Sequence, residues 1–596
     1  METMDAGKAL ERLDLPPSLK ERIREWLAQP FDRETIAEVE NMILEEQLTE
    51  LTDAFYKDLE FGTGGLRGIL GVGTNRMNTY TVGRATQGLS NYLLKTYPNE
   101  QIKVAIAFDS RNQSVEFSEL IASVFAGNGF TVYRFEELRP TPQLSFAIRH
   151  LGCHSGVMIT ASHNPKEYNG YKAYWKDGGQ LVAPHDRGVI AEVQAISDPA
   201  MVKTFSGSAA HAAGGEILGL GSELDEAYFK AVLKQAIRPE VVRQEKDLRM
   251  VYSSIHGTGI TLVPELLKRW GFEEVYVVDS QARPDGTFPT VVYPNPEEAE
   301  AMTLALEEAR KVDAELVMAT DPDADRVGLA IRTATGGYTL LNGNQIGSLL
   351  VDYVLSSMSE KHLLRPDDYV VTTIVTTRLI SDIAASYGVS CWEVLTGFKY
   401  IGELMTAQEG QARFVVGGEE SYGYLIGDLV RDKDAVISCA FIAEMAAWHK
   451  SQGRSLQDAL LGLYLRHGFY KERLVSLTKK GKSGADEIEA MMAKLRSGPV
   501  YDLGDVAVAR INDFLSGESR ELANDRVSEI DLPRSNVLQF ETVEGDVLSI
   551  RPSGTEPKIK FYCSVKGRLE EAADFDEWSR QLDEKIDSMM KAVLEQ

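Results

Sequence analysis

Three times along this chain an apolar run stops abruptly and empties into a compact polar loop. Val157-Met158-Ile159 leads into TASHNP (160–165), Leu316–Thr320 into DPDAD (321–325), and Arg413-Phe414-Val415-Val416 into GGEESYG (417–423). Each run sits inside a strand–helix–strand order. The first round has IKVAIAF, the helical SVEFSELIASVFAGNG and TVYRF. The second has LRMVYSSI, TLVPELLKRWG and VYVVD, then PEEAEAMTLALEEARKV, which reads as one long helix. The third has NQIGSLLVDYVLSSM, YVVTTIV and FKYIGELMTAQ. This order predicts mixed, mainly parallel sheets with helices on both faces. In such sheets, ligands sit at the carboxyl ends of the strands. A weak internal repeat of this kind predicts three related α/β units whose loop ends share one central cleft.

After about residue 468 the texture changes to shorter alternating segments, VAVARI and VLQFETV, before a long closing helix. That predicts a smaller C-terminal α+β domain. The expected fold class is therefore α/β, with three related domains and a fourth of α+β type. The expected boundaries are a helical extension over 1–45 and domains over 46–212, 213–335, 336–467 and 468–596. A chain of 596 residues is too long for a single core.

Composition narrows the function classes. With 63 basic against 89 acidic residues the net charge is −26, a field that repels nucleic acid. A small anionic substrate then needs a local basic pocket that overrides the global sign. No apolar run is long enough to cross a bilayer, and the acidic start METMDAGKALERLD lacks the order of an export signal. Cys153, Cys391, Cys439 and Cys563 lie far apart with no metal-ligand spacing, as expected of reduced thiols in a cytoplasm.

The loops carry the chemistry. Asn164-Pro165 forces a turn, because a residue before proline is pushed out of the helical region. Ser162 and His163 thus stand on a loop at a strand end, where Ser162 is a candidate nucleophile or simply a turn cap. Asp321, Asp323 and Asp325 alternate on a loop stiffened by Pro322. Three carboxylates this close repel one another unless a cation shares them, and so few oxygen ligands suit Mg²⁺. An EF-hand is excluded, since no glycine stands at the sixth loop position and no glutamate at the twelfth. A solvated acidic turn is the alternative.

In RPSGTEPK (551–558), Arg551, Ser553, Gly554 and Thr555 offer a guanidinium fork, two hydroxyls and accessible backbone amides, the inventory for a non-reacting phosphate. Glu419 and Ser421 could hydrogen-bond neighbouring sugar hydroxyls. Lys172 is a candidate phosphate-neutralising amine, and Lys399 and Lys433 are further candidates or ordinary surface lysines. His256, after a strand, could touch substrate, with a structural turn as the first reading. Together these parts describe equipment for moving a phosphoryl group on a phosphosugar.

FGTGGLRG, TASHNP, DPDADR, GEES and RPSGTEPK, in this order, resemble the arginine loop and the four signature loops of the α-D-phosphohexomutases. The resemblance runs from about residue 46 to the C-terminus and is nearest the longer phosphoglucomutase and phosphopentomutase branch. It implies four domains and a phosphoryl group carried on Ser162. It also implies Mg²⁺ held by Asp321, Asp323, Asp325 and a phosphate oxygen of that serine. Arg67, His163 and Lys172 would stand beside the phosphoserine, Glu419 and Ser421 would bind sugar hydroxyls, and Arg551, Ser553, Gly554 and Thr555 would grip the distal phosphate, with Lys433 reaching toward it. The expected activity interconverts glucose 1-phosphate and glucose 6-phosphate through glucose 1,6-bisphosphate. Ribose or mannose phosphates are alternative substrates, and a non-catalytic sugar-phosphate sensor or a phosphatase are alternative functions. The expected partner is a small phosphosugar, with no nucleic acid and no membrane, in a monomer or homodimer.

The sequence departs from the family at one position. Some bacterial phosphomannomutases carry a histidine two residues after the serine of the sugar loop, read there as the general acid/base. Here that position is Gly423, which leaves His163 or Lys433 as candidates for proton transfer.

Overall fold

The computed structural model describes residues 6–61, 65–205, 215–479, 481–498, 500–553 and 558–595, and the chain gathers into two compact units. The first comprises residues 1–340, 402–409 and 423–444. It opens with four helices, Ala6–Arg12, Pro17–Glu25, Arg33–Leu44 and Leu48–Phe55. Their apolar faces close one cluster that includes Leu10, Ile23, Val39, Ile43, Phe55 and Val72. Asp32 caps the third helix by accepting from the Thr35 amide at 2.8 Å. The same carboxylate accepts from the Tyr80 hydroxyl at 2.7 Å, which ties these helices to the next one, Thr79–Thr96.

The first sheet has the order β1-β5-β4-β2-β3-β6, with β1 Gly65–Ile69, β2 Lys103–Phe108, β3 Thr131–Phe135, β4 Ser155–Ile159, β5 Tyr168–Trp175 and β6 Glu216–Leu220. β2 pairs in parallel with β3 and β4, while β4–β5 and β5–β1 are antiparallel. β4 is buried at every position, as a strand covered by helices on both faces must be. The second sheet contains β7 Met250–Ser253, β8 Val275–Val277, β9 Leu316–Thr320, β10 Val327–Arg332 and β11 Tyr338–Leu341. Here β7 pairs in parallel with β8 and β9.

The stretch read as one long helix from Pro296 is helical only over Thr303–Val312. Pro296 and Asn295 start turns instead: Asn295 Oδ1 accepts from the Glu297 amide at 3.2 Å. The Glu297 carboxylate is drawn off to Arg326, 3.2 Å away, so the acidic run serves contacts with other segments rather than a helix face.

The second unit comprises residues 341–401, 410–422 and 445–596. In it, β12 Asp368–Thr373 pairs in parallel with β13 Ser390–Val394 and β14 Arg413–Gly418. An eight-stranded sheet built from residues 469–567 follows, and the helix Phe575–Leu594 packs on it through Leu582, Ile586 and Met589. Ile374, Val375 and Leu395 join Phe514, Val537 and Tyr562 in one apolar cluster. Around that cluster, Arg378 meets Glu541 at 2.7 Å and the Gln539 amide donates to the Ile374 carbonyl at 2.8 Å.

The repeat inferred from sequence is present as topology. β2, β7 and β12 are each flanked by two parallel neighbours, and in every case the strand that bears the polar loop (β4, β9, β14) is one of them. The overall architecture is the expected one: three α/β domains with mixed, mainly parallel sheets and a C-terminal domain richer in strands.

Candidate active site

All three loops bend through the left-handed region at a residue other than glycine: Ser162 at φ 54°, Ala324 at φ 48° and Tyr422 at φ 66°. Side chains with a Cβ seldom adopt this conformation, and they do so mostly where the surroundings enforce it. At Ser162 the enforcing group is Arg111. Its buried guanidinium donates to the carbonyls of Pro165 at 2.8 Å and Tyr168 at 2.9 Å, and also to those of Ser162 and Asn164. Thr160 Oγ1 accepts from the Ser162 amide at 2.8 Å. Arg111 follows β2, the parallel neighbour of β4, so both loops leave the same edge of the sheet. That adjacency is the signal that sequence reasoning left unused.

One guanidinium therefore shapes the loop, and lysine lacks the planar fork to replace it. The expected outcome of Arg111→Lys is a kcat lower on the order of 10²-fold through misplacement of the Ser162 hydroxyl. Steady-state kinetics checks this, and a wild-type kcat would show that the loop holds itself.

The first unit brings the Ser162 loop onto the acidic loop. Ser162 Oγ donates to Asp321 Oδ2 at 2.7 Å, with His163 Nδ1 3.3 Å away. Asp321, Asp323 and Asp325 are buried, with carboxylate oxygens within 4.8 Å of one another. Asp321 Oδ1 accepts the amides of Asp325 at 3.1 Å and Arg326 at 3.0 Å. Asp323 Oδ2 accepts from the Thr141 hydroxyl at 2.8 Å and the Lys172 ammonium at 2.7 Å. Asp325 Oδ2 accepts from Lys172 at 3.1 Å and lies 3.0 Å from Lys433 Nζ. Asp323 Oδ1 and Asp325 Oδ1 are buried oxygens without a hydrogen-bond donor among the described residues.

The charge state of the cluster points the same way. Burial, reinforced by Asp323 and Asp325, pushes the Asp321 carboxyl well above its usual range. Burial opposes ionisation of Asp325 too, but Lys172, Lys433 and Arg326 overcome it and hold that carboxyl low. Buried acceptors without donors beside a carboxyl driven toward protonation mark a site short of positive charge. Three carboxylates with oxygens to spare are a donor set for a hard divalent cation.

Arg67 on β1 lies opposite Gly170 on β5, and its guanidinium reaches Asn164 Oδ1 at 3.4 Å. Lys172 is on the same strand β5, buried against Asp323 and Asp325. Burial pushes the His163 imidazole well below its usual range, helped by Arg326 and Arg67. His256 donates and accepts between the Arg283 carbonyl at 3.0 Å and the Thr290 hydroxyl at 2.9 Å, a turn-bracing role. Lys433 is placed on the acidic cluster, between Asp325 and Asp432. A Cβ added at Gly423 would stand 2.1 Å from Lys433 Cδ, so the lysine stem fills the space beside this glycine.

In the second unit, Glu419 is buried and its Oε1 accepts from the Gly397 amide at 2.8 Å, which joins the loop after β14 to the turn carrying Lys399. Lys399 Nζ lies 4.8 Å from the Tyr400 ring centroid. Ser421 and Arg551 are half-buried. Burial pushes the Tyr562 phenol up; Glu420 adds to this, Arg551 opposes it and Glu419 contributes, so the two loops share one neighbour. The Ser553 amide donates to the Lys558 carbonyl at 2.7 Å. Gly554 and Thr555 lie outside the described residues.

Comparison with known proteins decides the family. Models of the phosphoglucomutase/phosphomannomutase α/β/α domains I, II and III match residues 58–200, 226–336 and 342–466, and that of the C-terminal domain matches 478–578. The chain belongs to the phosphoglucomutase/phosphomannomutase family. Among its relatives, a phosphoglucomutase of Staphylococcus aureus is 37% identical over 547 residues, spanning 90% of this chain and 94% of the relative. One of Staphylococcus epidermidis is 38% identical over 507 residues, spanning 85% and 90%.

Two solved structures share the fold. A putative phosphomannomutase of Thermus thermophilus aligns with TM-score 0.63 at 21% identity, covering 89% of this chain and 99% of its own. The open form of pp63/parafusin, a phosphoglucomutase of Paramecium, aligns with TM-score 0.65 at 17% identity, covering 89% and 95%. Among the described residues, no helix of this family member is long and apolar enough to cross a membrane.

Proposed function

We propose that the chain is a phosphoglucomutase that interconverts glucose 1-phosphate and glucose 6-phosphate through a phosphoserine at Ser162. The observation that carries this reading is the Ser162 hydroxyl, bonded at 2.7 Å to Asp321 inside a buried cluster of three aspartates. A binding protein needs no nucleophile at a metal cluster, which weighs against a sensor. The relatives named phosphoglucomutase support glucose as the sugar.

In the first transfer, the Ser162 Oγ–P bond breaks and an O–P bond forms on the 6-hydroxyl of glucose 1-phosphate, whose proton passes to a base of the site. The product is glucose 1,6-bisphosphate. In the second, the bisphosphate presents its other end, the O1–P bond breaks as an O–P bond forms to the Ser162 oxygen, the proton held by the base passes to O1, and glucose 6-phosphate leaves. The free Ser162 hydroxyl already donates to Asp321, and His163 Nδ1 stands 3.3 Å from it. Arg67 and Lys172 supply positive charge where the three phosphoryl oxygens gather negative charge.

Asp321, Asp323 and Asp325 would hold Mg²⁺, which when bound neutralises the transferring phosphoryl group. Glu419 and Ser421 would read sugar hydroxyls, with Lys399 at hand, while Arg551, Ser553, Gly554 and Thr555 would hold the phosphate that is not reacting. The four free cysteines fit a cytoplasmic setting.

The test is a panel of the 1-phosphates of glucose, mannose and ribose on one preparation. Glucose 1-phosphate is expected to show the highest kcat/KM. If it ranked last, the chain would be a mutase of another sugar. Release of inorganic phosphate faster than isomerisation would make it a phosphatase.

A further inference from the structure

Asp432 touches none of the proposed reacting groups, yet every oxygen of its carboxylate is engaged. Oδ2 accepts from the Tyr174 hydroxyl at 2.7 Å and from the Gln180 amide at 2.8 Å. Oδ1 accepts from the Lys433 amide at 2.9 Å and from Lys433 Nζ at 3.1 Å. Asp432, Tyr174 and Lys433 are buried, so water does not screen these contacts. Lys433 Nζ is at the same time 3.0 Å from Asp325 Oδ2. One ammonium is thus shared between an aspartate of the triad and an aspartate outside it.

That sharing has a consequence for the triad. Asp325 Oδ2 already receives the Lys172 ammonium at 3.1 Å. A second ammonium given wholly to Asp325 would neutralise it further and compete with a cation for its charge. Asp432 draws part of that charge away and fixes where the ammonium sits.

We propose that Asp432 is a positioning residue for the metal: anchored by Tyr174 and Gln180, it holds Lys433 partly off Asp325 and so keeps that carboxylate competent to bind a divalent cation. This inference rests on the metal reading of Asp321, Asp323 and Asp325 given above. Outer partners of this kind are worth roughly 10- to 100-fold in metal affinity.

The test is calorimetric titration of Mg²⁺ into the purified full-length protein, which reads binding without reference to turnover. Asp432→Asn is expected to weaken Mg²⁺ binding by roughly tenfold or more, because Lys433 then loses the Asp432 charge and is drawn toward Asp325. The decisive variant is Asp432→Asn combined with Lys433→Met. Removing the ammonium as well leaves the local charge as in the natural protein and should bring Mg²⁺ affinity back toward the natural value. A merely structural role for Asp432 would make the double variant as weak as the single one, or weaker, and that result overturns the proposal.

Tyr174→Phe removes an anchor without changing charge and should weaken Mg²⁺ binding by roughly threefold, a loss of under 1 kcal/mol. Should Asp432→Asn fail to fold, this variant decides: unchanged Mg²⁺ affinity in folded Tyr174→Phe contradicts the proposal, and a reproducible loss upholds it. Failure of the natural protein itself to bind Mg²⁺ would instead defeat the metal reading. Wild-type affinity in the single variant Asp432→Asn defeats only the role of Asp432.

Discussion

Ser162→Ala is expected to abolish isomerisation, with kcat down by roughly 10⁴-fold or more, the loss usual for removal of a nucleophile. The expectation follows from position. β4 delivers a buried, rigid strand end, Arg111 pins the loop, and the hydroxyl points at Asp321 with no other hydroxyl bonded to the triad among the described residues except that of Thr141, which is committed to Asp323. The variant removes one oxygen from a site whose remaining contacts are backbone-directed, so the fold should stand. An unchanged circular-dichroism melt beside absent activity would confirm that chemistry, not stability, was lost. Intact-mass measurement of the natural protein should show a phosphate-sized addition that the variant lacks. Full activity in Ser162→Ala would remove the phosphoenzyme from the account.

The second large effect is expected at Asp323. Its Oδ2 is saturated by Thr141 and Lys172, while its Oδ1 is buried without a donor among the described residues. Asp323→Asn keeps the shape but removes the charge, which leaves Lys172 under-compensated in a buried place and weakens the hold on a cation. We expect kcat to fall on the order of 10²–10³-fold, the size of a lost electrostatic partner in a preorganised site. Removal of divalent cation by a chelator should silence the natural enzyme, and Mg²⁺ should restore it. The same chelator should leave the fold intact, since Lys172, Lys433 and Arg326 still compensate Asp325. Turnover unaffected by exhaustive chelation would contradict a metal-dependent transfer.

Much of this arrangement was legible in the sequence because its signals are local. Apolar runs of five or six residues ending on Ser, Asp or Gly-Glu mark strand ends whatever surrounds them. The parallel pairs β2–β4, β7–β9 and β12–β14 bear out the repeat that those runs suggested. Where reasoning fell short, the determinants were distant in the chain. Arg111 is 51 residues from the Ser162 carbonyl it binds, and its neighbours DSRNQS look like any polar turn. Thr141 meets Asp323 across 182 residues. Lys433 reads as a candidate phosphate-binding amine or a surface lysine beside two acids, and only the fold buries it against Asp325. The helix expected from Pro296 shortens because its glutamates are used by Arg326 and by the Val292 amide rather than by helical neighbours. Spacing reveals contacts within an element. It does not reveal which residues two loops will share.

The most direct test of the account is to follow the phosphoryl group itself. The protein is incubated with glucose 1,6-bisphosphate carrying a labelled phosphate, digested, and the label located by mass spectrometry. Label is expected on the peptide containing Ser162, on that side chain, and then in the product once unlabelled glucose 1-phosphate is added. Isomerisation that proceeds while Ser162 stays unlabelled, or label that settles on another residue, would contradict it.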